Sequence, residues 1–254
     1  MTTFLLLPGA GGDPAYWDLL VPELDRLGHR PVAVDLPQHD EGHGWADLTD
    51  VAVTRLHRAT VPAERDDLVV VAQSMGAYVG PLVCEREAVR LLVLLNPMIP
   101  RPGESGGDWW RATDHAARRA ATGLGPFDPV DDFFHDVPEP VAAVVQRSDR
   151  QPSERSFAEP WPARAWPAVP TVVLQGDDDR LFPPPFQRAV ARERLGAEVE
   201  TMPGGHLVAL SRPAELAARL DALARCRAAL PGRPRLSRSS SRPRGPGRGA
   251  GCAD

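Results

Sequence analysis

Apolar residues fall into six short blocks along the chain: FLLL (4–7), PVAVDL (31–36), LVVVA (68–72), LLVLLN (91–96), TVVLQ (171–175) and EVETM (198–202). Blocks this short, and mostly without polar alternation, read as strands buried on both faces, while the segments between them suit helices. The pattern therefore predicts an α/β fold of about six mostly parallel strands flanked by helices. Trp17 to Leu27 and Pro185 to Leu195 read as helices stopped by Gly28 and Gly196.

Residues 99–168 break the rhythm with ten prolines, four tryptophans and the pair Phe133-Phe134, and they contain no convincing strand. An insertion of this length between neighbouring strands predicts a mostly helical lid over a functional site, set into a core formed by residues 1–98 and 169–226. After Cys226 apolar periodicity ends, and residues 227–254 become an Arg/Pro/Gly/Ser-rich tail expected to be disordered.

Composition narrows the function classes. The 254 residues, 43% of them hydrophobic, suit one large domain with a sizeable core. The N-terminus lacks a basic n-region and offers only four consecutive apolar residues, so neither a signal peptide nor a membrane span is expected. Cys84, Cys226 and Cys252 are odd in number and form no C-x-x-C pair, which suits a reducing cytoplasm and disfavours disulfides or zinc. Every one of the 29 basic residues is arginine. The net charge of −5 divides into +6 for the tail and −11 for residues 1–226, and so acidic a body is not expected to bind nucleic acid.

One serine stands apart. In VVVAQSMGAYVG, Ser74 follows a valine-rich strand and has Ala72, Gly76 and Ala77 around it. A nucleophile raised on a strained strand-to-helix turn needs such small neighbours, although the usual G-x-S-x-G has glycine where Ala72 stands; the bland alternative is a serine capping a helix that begins near Met75. A serine hydroxyl requires a base, and MPGGHLVALSRPAEL supplies His206 after the last strand. The imidazole requires a carboxylate, and QGDDDRLFP supplies Asp179, with Asp177 and Asp178 reading as turn-formers. The order Ser74, Asp179, His206 is the one that accompanies this strand–turn–helix arrangement. Oxyanion donors are expected from the N–H groups of Met75 and of Ala10 in the glycine-rich loop after the first strand. Gly9, Gln73, Trp109, Trp110, Phe133 and Phe134 are the candidate substrate-binding residues, although the four aromatics would equally suit the core of a lid. QHDEGHGW, with His39 and His43, reads as a loop rather than a metal site.

Through PGAGG, AQSMG, QGDDDRLFP and PGGH, residues 4 to about 225 resemble the α/β-hydrolase superfamily. VPELDRLGHRPVAVDLP and NPMIPRPGES make the chain most similar to the small lidded serine esterases related to plant methylesterases and hydroxynitrile lyases. Those proteins usually carry His-Gly where this chain has Pro8-Gly9, and the lyases depend on a lysine that is absent here. The resemblance implies hydrolysis of esters of small, largely apolar substrates through an acyl-enzyme, without a cofactor and without a nucleic-acid or membrane partner. PGAGG and QSMGA also resemble thioesterases that act on carrier-bound acyl groups, and a non-catalytic ligand receptor on the same fold is the alternative from another class.

Overall fold

The computed structural model describes residues 1–148 and 150–228, with side chains described to residue 226. Among the described residues, six parallel strands form one sheet: β1 (Thr3–Leu7), β2 (Arg30–Ala33), β3 (Leu68–Gln73), β4 (Val89–Leu95), β5 (Thr171–Gly176) and β6 (Val199–Met202), in the order β2-β1-β3-β4-β5-β6. The second block is shorter as a strand than its apolar run suggests. Beyond Ala33 the chain bends toward the loop after β1, where the Leu36 N–H donates to the Gly12 carbonyl.

Side-chain alternation divides the core in two. Leu5, Leu7, Val70, Ala72, Leu92, Leu94 and Val173 face one layer with buried residues of α2 (Trp45–Ala59), α3 (Gly80–Arg86) and α9 (Pro184–Leu195). Phe4, Leu6, Val69, Val71, Leu91, Val93 and Leu174 face the other, with α1 (Leu20–Arg26) and α11 (Pro213–Ala228). Each fully buried aliphatic or aromatic side chain contributes roughly 1.5–3 kcal/mol, so strands apolar on both faces bind both layers tightly. Strand order reverses beside β1, because the chain first goes outward to β2 and then returns across β1 to β3. In such sheets the crevice at the carboxyl ends of the strands, beside the reversal, receives ligands.

Helix boundaries follow local chemistry. The predicted start at Trp17 is moved to Leu20, because Pro14–Trp17 first forms a tight 3-10 turn capped by Asp13. Gly28 and Gly196 do close their helices, at φ 81° and 62°.

Between β4 and β5 lie five short helices, α4 (Gly106–Ala112), α5 (His115–Ala120), α6 (Pro129–Phe134), α7 (Glu139–Val145) and α8 (Glu154–Ala158). Indole N–H groups anchor this insertion. Trp109 donates to the Ile99 carbonyl at 3.0 Å, Trp161 to Tyr78 at 2.9 Å and Trp166 to Pro100 at 3.0 Å. Two buried ion pairs reinforce it: Arg194 of α9 with Glu104, and Arg119 with both carboxylate oxygens of Asp132 at 2.6 and 2.7 Å. α10 (Val208–Ser211) leads into α11, whose last two residues are the only part of the 227–254 tail within the described residues. Among the described residues, no helix is long and apolar enough to cross a membrane.

Removing one partner of a buried ion pair leaves the other charged and desolvated. Arg119→Ala should therefore destabilise the protein by about 3–5 kcal/mol, whereas the double change Arg119→Leu with Asp132→Leu should cost clearly less. Urea denaturation of the two variants beside wild type measures the difference.

Candidate active site

The turn after β3 is strained where the sequence predicts. Ser74 has a φ of 49°, in the left-handed region that non-glycine residues avoid, and it opens a 3-10 turn from Ser74 to Tyr78 rather than capping an α-helix. Small neighbours are a geometric requirement here. A Cβ on Gly76 would lie 2.7 Å from the Pro8 carbonyl oxygen and 2.9 Å from that of Leu7, and one on Gly9 would meet the Gln73 side chain and, at 3.0 Å, the Ser74 Cβ.

His206 and Asp179 meet across two loops. Nδ1 of His206 lies 2.8 Å from Oδ2 of Asp179, and the two side chains are 1% and 0% exposed. The other carboxylate oxygen accepts from the Phe182 N–H at 2.8 Å, so both oxygens of Asp179 are committed. Asp177 and Asp178 are exposed, and their N–H groups hold the turn against Met202 and Gly204. Among the described residues Nε2 of His206 has no hydrogen-bond partner, so no Ser74–His206 bond is made.

Ser74 and His206 line one cavity of about 930 Å³ at the carboxyl edge of the sheet. Ala10, exposed, lines it beside Met75; Ala10 sits in the turn in which the Gly12 N–H donates to Gly9, next to Gly11 at φ 85°. Among the described residues, neither the Ala10 nor the Met75 N–H donates to a partner outside its own element. Gly9, Gln73, Trp110, Phe133 and Phe134 also line the cavity.

Trp109 does not, which corrects the sequence expectation. It is fully buried, packed against Phe182 and Phe186 with Arg194 over its ring, because its position on α4 turns inward while Trp110 turns to the cavity. Sequence reasoning missed Tyr16, Met98, His115, Phe157 and Phe182 as cavity walls. Of these, only Phe182 had a usable signal, its place beside the acidic turn.

His115 is a buried wall residue whose Nε2 lies 2.6 Å from the Leu181 carbonyl oxygen, so that nitrogen carries the proton. Burial pushes its pKa below the ordinary 6.5, Arg119 adds to the shift, and the Leu181 bond opposes it. A second groove of about 610 Å³, between β2 and α2, contains none of these residues.

Residues 4–219 match the profile of the alpha/beta hydrolase family. The chain belongs to that family. No curated protein matches it significantly. Similar solved structures include polyneuridine aldehyde esterase, at 17% identity and a TM-score of 0.69, covering 88% of this chain and 99% of that one. A pyrethroid hydrolase from Sphingobium faniae is 22% identical with a TM-score of 0.68, covering 89% and 98%. A methylesterase from Arabidopsis is 16% identical with a TM-score of 0.67, covering 89% and 100%. At these identities the likeness establishes the shared fold alone.

Two predictions test this local physics. Gly76→Ala forces a methyl against rigid backbone carbonyls and should cost about 1–3 kcal/mol in denaturant unfolding, while Gly125→Ala, with nothing within 4 Å of the new Cβ, should stay within about 0.5 kcal/mol. For His115, the depressed pKa means that the unfolded chain binds the proton first as pH falls through 6.5, so this group's contribution to stability is lost on acidification. His115→Gln should therefore show a smaller fall in melting temperature than wild type between about pH 7 and pH 5.

Proposed function

We propose that the protein is a serine hydrolase cleaving carboxylic esters of small, largely apolar substrates through an acyl-enzyme. The observation that carries this reading is the buried His206–Asp179 pair at the wall of a cavity that it shares with a strained Ser74.

In this reading Ser74 Oγ attacks the ester carbonyl carbon while Nε2 of His206 takes its proton. Asp179 holds Nδ1–H and stabilises the imidazolium that forms. The carbonyl oxygen becomes negatively charged between the Met75 and Ala10 N–H groups; one such donor typically lowers the barrier by about 2.7–4 kcal/mol. Collapse of the tetrahedral adduct breaks the bond to the alcohol oxygen, which receives the proton from His206. Water, deprotonated by the same nitrogen, then releases the acid. The oxygen nucleophile, proton carrier and oxyanion donors are all supplied by the chain, so the cycle draws on no cofactor.

Substrate class is argued from the walls. Met98, Trp110, Phe133, Phe157 and Phe182 enclose the reacting centre, while polar side chains such as Asp13, Gln146 and Arg150 also line the cavity. Such a pocket favours a compact apolar group next to the ester. The structural neighbours that bear the names esterase, pyrethroid hydrolase and methylesterase support ester cleavage as the reaction. The insertion between β4 and β5 acts as the lid that supplies most of these walls.

A fluorophosphonate probe should label the wild type, and Ser74→Ala should abolish both labelling and turnover of p-nitrophenyl esters. An unreactive wild type would instead point to a ligand receptor, and faster turnover of acyl-thioesters than of matched esters would move the assignment to thioesterase.

A further inference from the structure

Asn96, the first residue after β4, is completely buried and has a φ of 44°. Its side-chain amide makes three hydrogen bonds, spread over two loops. Nδ2 donates to the His206 carbonyl at 2.8 Å and to the Gly205 carbonyl at 3.2 Å, while Oδ1 accepts from the Gly176 N–H at 2.9 Å. Two carbonyl acceptors on one side and an N–H on the other leave the amide a single orientation. Gly176 ends β5 three residues before Asp179.

The same short segment reaches the third loop as well. Met98, two residues on, donates its N–H to the carbonyl of Ser74 at 3.1 Å. The stretch 96–98 is thus bonded to the serine turn, to the start of the acid turn and to the peptide of His206 itself. From this geometry we infer that Asn96 is a positioning residue for the triad: its side chain fixes the acid turn and the base loop relative to each other, so that Nδ1 of His206 meets Asp179 and Nε2 points into the cavity of Ser74.

The inference rests on the serine-hydrolase reading. Asn96 touches no substrate-facing atom in this scheme, and it does not line the cavity. Its effect runs through His206, and misplacing a reacting group by about 1 Å costs on the order of 100-fold in rate. Its backbone conformation and its side-chain bonds can be separated, because glycine accepts φ 44° freely but carries no amide.

The test compares wild type, Asn96→Gly and Asn96→Asp by steady-state kinetics on a p-nitrophenyl ester, by melting temperature and by proton NMR of the far-downfield His206 Nδ1–H signal, assigned by its loss in Asp179→Asn. Asn96→Gly should lower kcat about 100-fold with KM changed by less than about 3-fold, and the downfield signal should weaken or vanish while the protein stays folded. Asn96→Asp keeps an acceptor for Gly176 but sets an oxygen against two carbonyls, and it should show the same split. Wild-type kcat in Asn96→Gly, with the signal intact, overturns the inference. So does failure of both variants to fold, which would make Asn96 a residue of general stability. If wild type cleaves no ester and takes no fluorophosphonate, yet its downfield signal is lost on Asn96→Gly, the hydrolase reading fails and the positioning role stands.

Discussion

Ser74 holds its left-handed φ of 49° because the structure around it leaves no alternative. Such a conformation costs of order 1–3 kcal/mol for a non-glycine residue and survives only where its surroundings over-determine it. On one side lies β3, bonded in register to both β1 and β4. On the other, Gly76 is pressed against the carbonyls that end β1, and the Ser74 carbonyl accepts from Met98. The second non-glycine residue with a left-handed φ at this edge is Asn96, and the match is structural: Gln73 and Leu95 are register partners, so Ser74 and Asn96 are the next residues out on adjacent central strands. The chain turns sharply at both places, and the two turns carry the Ser74 hydroxyl and the amide that ties the loops of Asp179 and His206.

Much of this was legible in the sequence because its causes are local. Strands buried on both faces appear as uninterrupted Val/Leu runs, and β3 and β5 match their blocks to within a residue at either end. The serine turn was visible in its small residues, and Asp179 in its place in the acidic turn. What stayed hidden depends on contacts distant in sequence. Trp109 and Trp110 are adjacent letters, but only the packing of α4 against Phe182 and Phe186 decides that one becomes core and the other cavity wall. Asn96 read as the last letter of a strand block, because its partners lie 80 and about 110 residues away. Short helices in the insertion were similarly opaque, since each is too brief to show a period and is fixed by indole and arginine anchors instead.

The insertion does more than line the cavity, for it also holds the loop of His206. Asp136, just after α6, accepts the Gly205 N–H at 2.8 Å, and Phe133 packs edge-on against the His206 ring with centroids 5.3 Å apart. The glycine pair before His206 makes this approach possible: a Cβ on Gly205 would fall 2.7 Å from Asp136 and from the His135 ring, and Gly204 has a φ of 127°. PGGH is therefore readable as two separate requirements, a backbone conformation at Gly204 and a close contact at Gly205.

Held by Asn96 from the sheet and by Asp136 from the insertion, the peptide of His206 is constrained on both flanks by hydrogen bonds to backbone atoms, none of which uses the imidazole. The two ring nitrogens differ. Nδ1 is committed to Asp179, which fixes its tautomer, and Nε2 has no partner among the described residues. The ring itself lines the aromatic cavity shared with Ser74, so the two backbone anchors and the Asp179 bond together set where an imidazole stands at that wall.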